Sequence, residues 1–213
     1  MREEVLRILK LVEEGKITAA EAERLLDALE KGESKPKPKP KRRLAGEELK
    51  LNPEKPLKIT LKGGQLVVVR SEEARLVGEG VTEEADGVHL TGGAQLLWPG
   101  RAELEVSVYW GALEGEVPRL SLELVMGSAK LVGVEEGKVR VCMGNAELKL
   151  SREFRGLEAS CDMGNLEIYT PVGVSVQAEE HWGSVSVDPA VQDPDGPPVK
   201  VSARMGEAEV RRA

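Results

Sequence analysis

Two rhythms of apolar and polar positions divide this 213-residue chain. In the first, Val5, Ile8, Leu9 and Val12 fall at i, i+3, i+4 and i+7, which puts them on one stripe of a helix. Gly15 suits the left-handed conformation that ends a helix. Thr18 then opens a capping box with Glu21: its hydroxyl accepts from the third helical amide and the glutamate reaches back. Ala22, Leu25, Leu26 and Leu29 repeat the first spacing, and Gly32 closes the second helix. The pattern predicts a helical hairpin over residues 1–32. Such a unit is below the ~40 residues at which isolated folding becomes plausible. Its apolar positions Val5, Leu9, Val12, Leu25 and Leu29 are therefore expected to face a second copy of the chain or a partner helix.

From residue 51 onward the period is two. The alternation is punctuated by a repeated pair: Trp110-Gly111, Met126-Gly127, Met143-Gly144, Met163-Gly164, Trp182-Gly183 and Met205-Gly206. Alternate apolar residues lead into each pair, as Leu120, Leu122 and Leu124 do before Met126. They resume two residues after the glycine, as at Ala129 and Leu131. Period two on both sides of a glycine reads as strand, corner, strand. Six copies predict a mainly β domain over residues 51–213, a β-solenoid in which each coil stacks on the one before it. Equivalent residues then form columns. The Met and Trp side chains are expected to line an inner seam, and Ser128, Asn145 and Asn165 to bond one another along the corner. The fifth copy carries Glu180 at an inward position, where an unpartnered carboxylate is costly. Segments 57–69 and 88–98, with Gly63-Gly64 and Gly92-Gly93, read as earlier coils or a capping layer. Pro189, Pro194, Pro197 and Pro198 mark a loop within the last coil. The rival architecture is an antiparallel β-sandwich; regular columns favour the solenoid.

Between the two regions lies a basic, proline-spaced run: Lys35, Lys37, Lys39, Lys41, Arg42 and Arg43, with Pro36, Pro38 and Pro40 between the lysines. Proline fixes φ and removes a donor, so residues 33–50 are expected to form a semi-rigid, extended linker. The formal net charge of the chain is -7, so this basic run stands out against an acidic background. Weak contact with nucleic acid or anionic lipid through these six cations is the alternative function.

The residues from Leu9 to Leu29, with Glu14-Gly15-Lys16-Ile17-Thr18-Ala19-Ala20-Glu21-Ala22 at their centre, resemble the short SHOCT-like hairpin found at the ends of many bacterial proteins. The repeat region resembles the putative-adhesin β-solenoid family, the YvlB/LiaX-like bacterial proteins, which join such a hairpin to a β-rich repeat domain. The resemblance implies a regulatory or envelope-stress protein without known catalysis.

Candidate chemistry is sparse. The period of the methionines equals the coil repeat, which favours packing over a soft-metal site. Cys142 and Cys161 are 19 residues apart, with Cys161 on the inward phase and Cys142 on the outward one; a disulfide is not expected. His89 and His181 show no evident partners, although Glu179 and Glu180 precede His181. The outward acids Glu114, Glu147, Glu167 and Glu209 stack in one column and need Lys130 or Lys149 beside them. Aromatics are only 3 %, which argues against a base-stacking surface. No catalytic residue, cofactor or metal site is predicted. Acids near the N-terminus replace the basic region of a signal peptide, and no apolar stretch approaches the ~18 residues of a membrane span. The expectation is a cytoplasmic, non-enzymatic scaffold that works by self-association or partner binding, peripheral at the inner membrane surface if the basic run meets lipid. A carbohydrate-active β-helix enzyme ranks last.

Overall fold

The computed structural model describes residues 42–44 and 48–213. The described residues belong to one compact unit. In the described residues the chain begins with two short strands, β1 (Arg42–Leu44) and β2 (Glu48–Lys50). Strands β3 (Leu57–Leu61) and β4 (Gln65–Arg70) make the first strand–corner–strand rung. A reversed pair follows, β5 (Arg75–Gly78) and β6 (Val81–Glu84). The next rungs are β7 (Gly87–Leu90) with β8 (Ala94–Trp98), and β9 (Leu104–Val108) with β10 (Ala112–Glu116). In β11 (Arg119–Val134), β12 (Glu136–Leu150) and β13 (Gly156–Thr170) a single strand runs through the corner and is a whole rung. The last rungs are β14 (Ser175–Glu180) with β15 (Ser184–Val187), and β16 (Pro198–Ala203) with β17 (Glu207–Arg212).

The fold is mainly β, and its sheet is open rather than closed into a barrel. Every rung pairs with its neighbours in parallel. Antiparallel pairing is confined to β1, β2, β5 and β6, which close one end. This is the parallel stack expected from the repeat and not the antiparallel sandwich. The anticipated columns form: Leu122, Val139, Ala159 and Val201 lie side by side and buried, and so do Leu131, Leu148, Ile168 and Val210.

The rungs do not stack in chain order. The spatial sequence is β7/β8, β3/β4, β9/β10, β11, β12, β13, β16/β17, β14/β15, so the first two and the last two are exchanged. The C-terminal exchange follows from the apolar pattern. The β16/β17 rung offers Val199, Val201, Ala203, Ala208 and Val210, all buried. The β14/β15 rung carries Glu180 on the equivalent phase, facing Ala203. A carboxylate can occupy that position only at the end of the stack, where water reaches it. There Glu180 is exposed, and its Oε1 accepts from the Val185 amide at 2.7 Å. The proline-rich loop supplies the crossover: Asp188 Oδ1 accepts from the Ala190 amide at 2.9 Å and starts a 3-10 turn over Pro189–Val191.

The expected linker extended to residue 50, but its end is part of the sheet. Arg42–Leu44 pairs antiparallel with β6, and Glu48–Lys50 with β5. Pro40 is the last proline of the run, so the residues after it have amides to donate to the open edge of the end layer.

Candidate functional site: an exposed ridge of Trp and Met

A column of glycines forms the corner. Gly64, Gly111, Gly127, Gly144, Gly164, Gly206 and Gly183 follow one another along the stack, each backbone lying where its neighbour's Cβ would have to be. At Gly127 (φ +137°) a Cβ would sit 2.1 Å from the Gly111 oxygen, and at Gly164 it would sit 2.2 Å from the Gly144 oxygen. Only glycine allows this approach.

The residue before each of the last six glycines is Trp110, Met126, Met143, Met163, Met205 or Trp182. Met126, Met143 and Met163 pair directly across β11, β12 and β13. The column therefore exists, but it faces outward. Exposure runs from 40 % at Met143 to 93 % at Trp182, and Met126 is half-buried. This corrects the expected inner seam. The inward residues Leu124 and Ala129 are five positions apart, an odd number, so the alternation must slip by one at the corner. The residue before the glycine is left on the convex side. Parallel strands lie about 4.8 Å apart, so six rungs give an apolar ridge about 24 Å long.

The ridge is bordered by polar groups. On one side Ser128, Asn145 and Asn165 stand in register and exposed. The expected amide ladder does not form; no hydrogen bond links these side chains among the described residues. On the other side Arg140 holds Asp162 at 3.0 Å. Beyond it Lys138 pairs with Glu158 at 3.1 Å, on the wall of a shallow groove of about 570 Å³ that also includes Lys200 and Arg204. Three of the four stacked acids of the other face, Glu147, Glu167 and Glu209, have a partner; Glu114 makes no ion pair or hydrogen bond among the described residues. Lys130 reaches Glu147 at 3.0 Å and Lys149 reaches it at 3.4 Å, which holds the Glu147 carboxyl below its ordinary range. The Tyr169 hydroxyl donates to Glu167 at 2.7 Å, and Arg211 pairs with Glu209.

The cysteines lie as the alternation predicts, Cys161 buried and Cys142 partly exposed, and both are free thiols. Burial pushes the Cys161 thiol up to about 11. Iodoacetamide at mildly alkaline pH is expected to label Cys142 in the folded chain and to reach Cys161 only after denaturation. Peptide mapping that finds Cys161 labelled first contradicts this placement. His181 makes no hydrogen bond or ion pair with Glu179 or Glu180, so no acid–base pair forms there. His89, which shows no partner in the sequence, has two: Asp86 Oδ1 at 3.3 Å and Glu84 Oε2 at 3.7 Å from Nε2.

Residues 3–34 match the family of SHOCT-like domains. The match covers the hairpin pattern and agrees with the resemblance carried by Leu9 to Leu29. The expected interaction stripe of the hairpin (Val5, Leu9, Val12, Leu25, Leu29) lies outside the described residues, as do Lys35, Lys37, Lys39 and Lys41. For Arg42 and Arg43 the backbone alone is placed, opposite Glu83 and Thr82. Among solved structures the chain is similar to a putative cell adhesion protein from Clostridium sporogenes ATCC 15579, with 15 % identity and a TM-score of 0.44 over 83 % of this chain and 100 % of that one. It is also similar to a putative adhesin from Bacteroides fragilis NCTC 9343, with 12 % identity and a TM-score of 0.45 over 79 % of this chain and 98 % of that one. No curated protein sequence matches the chain. Among the described residues, no helix is long and apolar enough to cross a membrane.

Proposed function

We propose that this chain is a non-enzymatic scaffold that self-associates through its SHOCT-like segment and presents the Trp–Met ridge to a partner protein. The ridge carries the reading. Six large apolar side chains held outward in one line on a stack of parallel strands are a contiguous apolar patch, and such patches mark interaction surfaces. Thioethers adapt to varied apolar partners, and tryptophans are favoured anchors at the core of interfaces. The stack supplies rigidity, so little order is lost when the ridge is covered. A cytoplasmic setting linked to envelope stress, implied by the family resemblance, is part of this proposal.

Light scattering on the full-length chain and on the Leu9→Asp/Leu25→Asp variant tests the first arm. The wild type is expected to be oligomeric and the variant to shift toward monomer; a monomeric wild type at all concentrations contradicts it. Affinity capture with the Trp110→Ser/Trp182→Ser variant tests the second arm. Loss of a protein captured by the wild type supports the ridge. Equal capture by both, or capture that vanishes only with added salt, points instead to the basic run at Lys35–Arg43.

A further inference from the structure

We propose that Glu84, Asp86 and His89 form a binding site for a divalent transition-metal ion of the zinc class on the β6–β7 hairpin. The hairpin register pairs Glu84 with Gly87 and Thr82 with His89, which puts Glu84 and His89 on the same outer face. The two-residue turn Ala85–Asp86 folds Asp86 back beside them, next to Gly87, which has no side chain to intervene. One ligand atom from each of the three residues lies within 4.8 Å of the other two. His89 Nε2 is 3.3 Å from Asp86 Oδ1 and 3.7 Å from Glu84 Oε2.

Those spacings are close to what zinc requires. With zinc–ligand bonds of about 2.0–2.1 Å in a tetrahedron, neighbouring ligand atoms are about 3.3–3.4 Å apart. One edge is already that length, and a second is within a few tenths of an ångström. The carboxylate–carboxylate edge closes by rotation of Asp86, whose side chain is 68 % exposed at the hairpin tip. His89 is the fixed ligand. Its side chain is only 16 % exposed, on a strand that has Thr60 and Thr82 opposite it on either side.

The donor set selects the ion. Two carboxylates offset the double charge, and an imidazole nitrogen favours zinc, cobalt or nickel over calcium and magnesium, which take oxygen ligands. Lys58 is turned to Glu105 at 3.0 Å. Among the described residues, His89 Nδ1 is buried without an acceptor. Metal-bound imidazoles usually donate that second N–H, and loss of the acceptor weakens binding by about 10–100-fold. The affinity is therefore expected to be micromolar rather than that of a structural zinc site, with water completing the coordination.

The chain holds only two histidines, so the test is clean. The full-length protein is titrated at neutral pH with zinc chloride, followed by calorimetry and by the two imidazole NMR signals. One ion is expected to bind, shifting the His89 signal and leaving the His181 signal in place. His89→Ala and Asp86→Asn are expected to weaken binding by about 10–100-fold, and His181→Ala to leave it unchanged. Asp86→Asn, at an exposed turn, keeps the comparison valid if His89→Ala disturbs the hairpin. Calcium chloride at the same concentration is expected not to compete. Absence of binding at millimolar zinc, or equal affinity in the wild type and the Asp86→Asn variant, overturns the site and leaves His89 as a hydrogen-bonded surface histidine.

Discussion

Gly127→Ala is expected to destabilise the protein by about 2–6 kcal/mol, summing about 1–3 for backbone strain and about 1–3 for overpacking. The glycine has φ +137°, where a Cβ is strained in any surroundings. It also faces backbone on both sides: its own Cβ would lie 2.1 Å from the Gly111 oxygen, and the Gly127 oxygen in turn lies 2.4 Å from where a Cβ on Gly144 would be. Neither obstacle is the end of a flexible side chain. Relief requires two rungs to separate, which breaks ladder hydrogen bonds on both arms of the corner. Gly93→Ala is the control, because a Cβ there meets nothing within 4 Å. Urea denaturation of the two variants checks the pair. Gly93→Ala is expected within about 0.5 kcal/mol of wild type, as for surface substitutions without special features. An unchanged midpoint for Gly127→Ala contradicts the close stacking of the corners.

The second large effect lies in the core. Leu148 is fully buried in the middle of the stack, between Leu131 and Ile168, and Leu148→Ala is expected to cost about 2–5 kcal/mol. Toward one end the same column continues to Val210 and finishes at Val187. These two valines separate the observed rung order from chain order. Val210 is fully buried, with Ile168 on one side and Val187 on the other, whereas Val187 is half-buried on the last rung. Val210→Ala is expected to cost about 2 kcal/mol and Val187→Ala under about 1 kcal/mol. Stacking in chain order would reverse the two, because Val210 would then be terminal. Paired denaturation curves decide between them.

Much of this architecture was legible in the sequence because one physical feature wrote it repeatedly. The Met-Gly and Trp-Gly pairs set the corner, and the apolar alternation on either side set the rungs. The resulting register between Met126, Met143 and Met163 is the one observed. Those methionines face outward and not into the expected inner seam, because period two does not carry straight through the corner. The signal was present in the odd spacing between Leu124 and Ala129. Glu180 likewise carried more information than a local irregularity. A carboxylate on the inward phase identifies the rung that must lie at an end, but seeing this requires allowing rungs to exchange places. The strand at Arg42–Leu44 was hidden by the lysines and prolines before it, since an edge strand needs only donors and acceptors from its backbone. The Glu84–Asp86–His89 group was missed for another reason. Its spacing carries no familiar metal-binding signature, and only the hairpin register brings the three side chains to one face.

The outward ridge is the claim on which the functional reading depends, and methionine oxidation measures it most directly. Dilute hydrogen peroxide converts accessible thioethers to sulfoxides, a change that mass spectrometry reads residue by residue. In the folded chain Met143, Met163 and Met205 are expected to oxidise at rates close to those of the denatured chain, with Met126 slower. Protection of all four until the protein unfolds would place them in an interior seam and contradict the ridge.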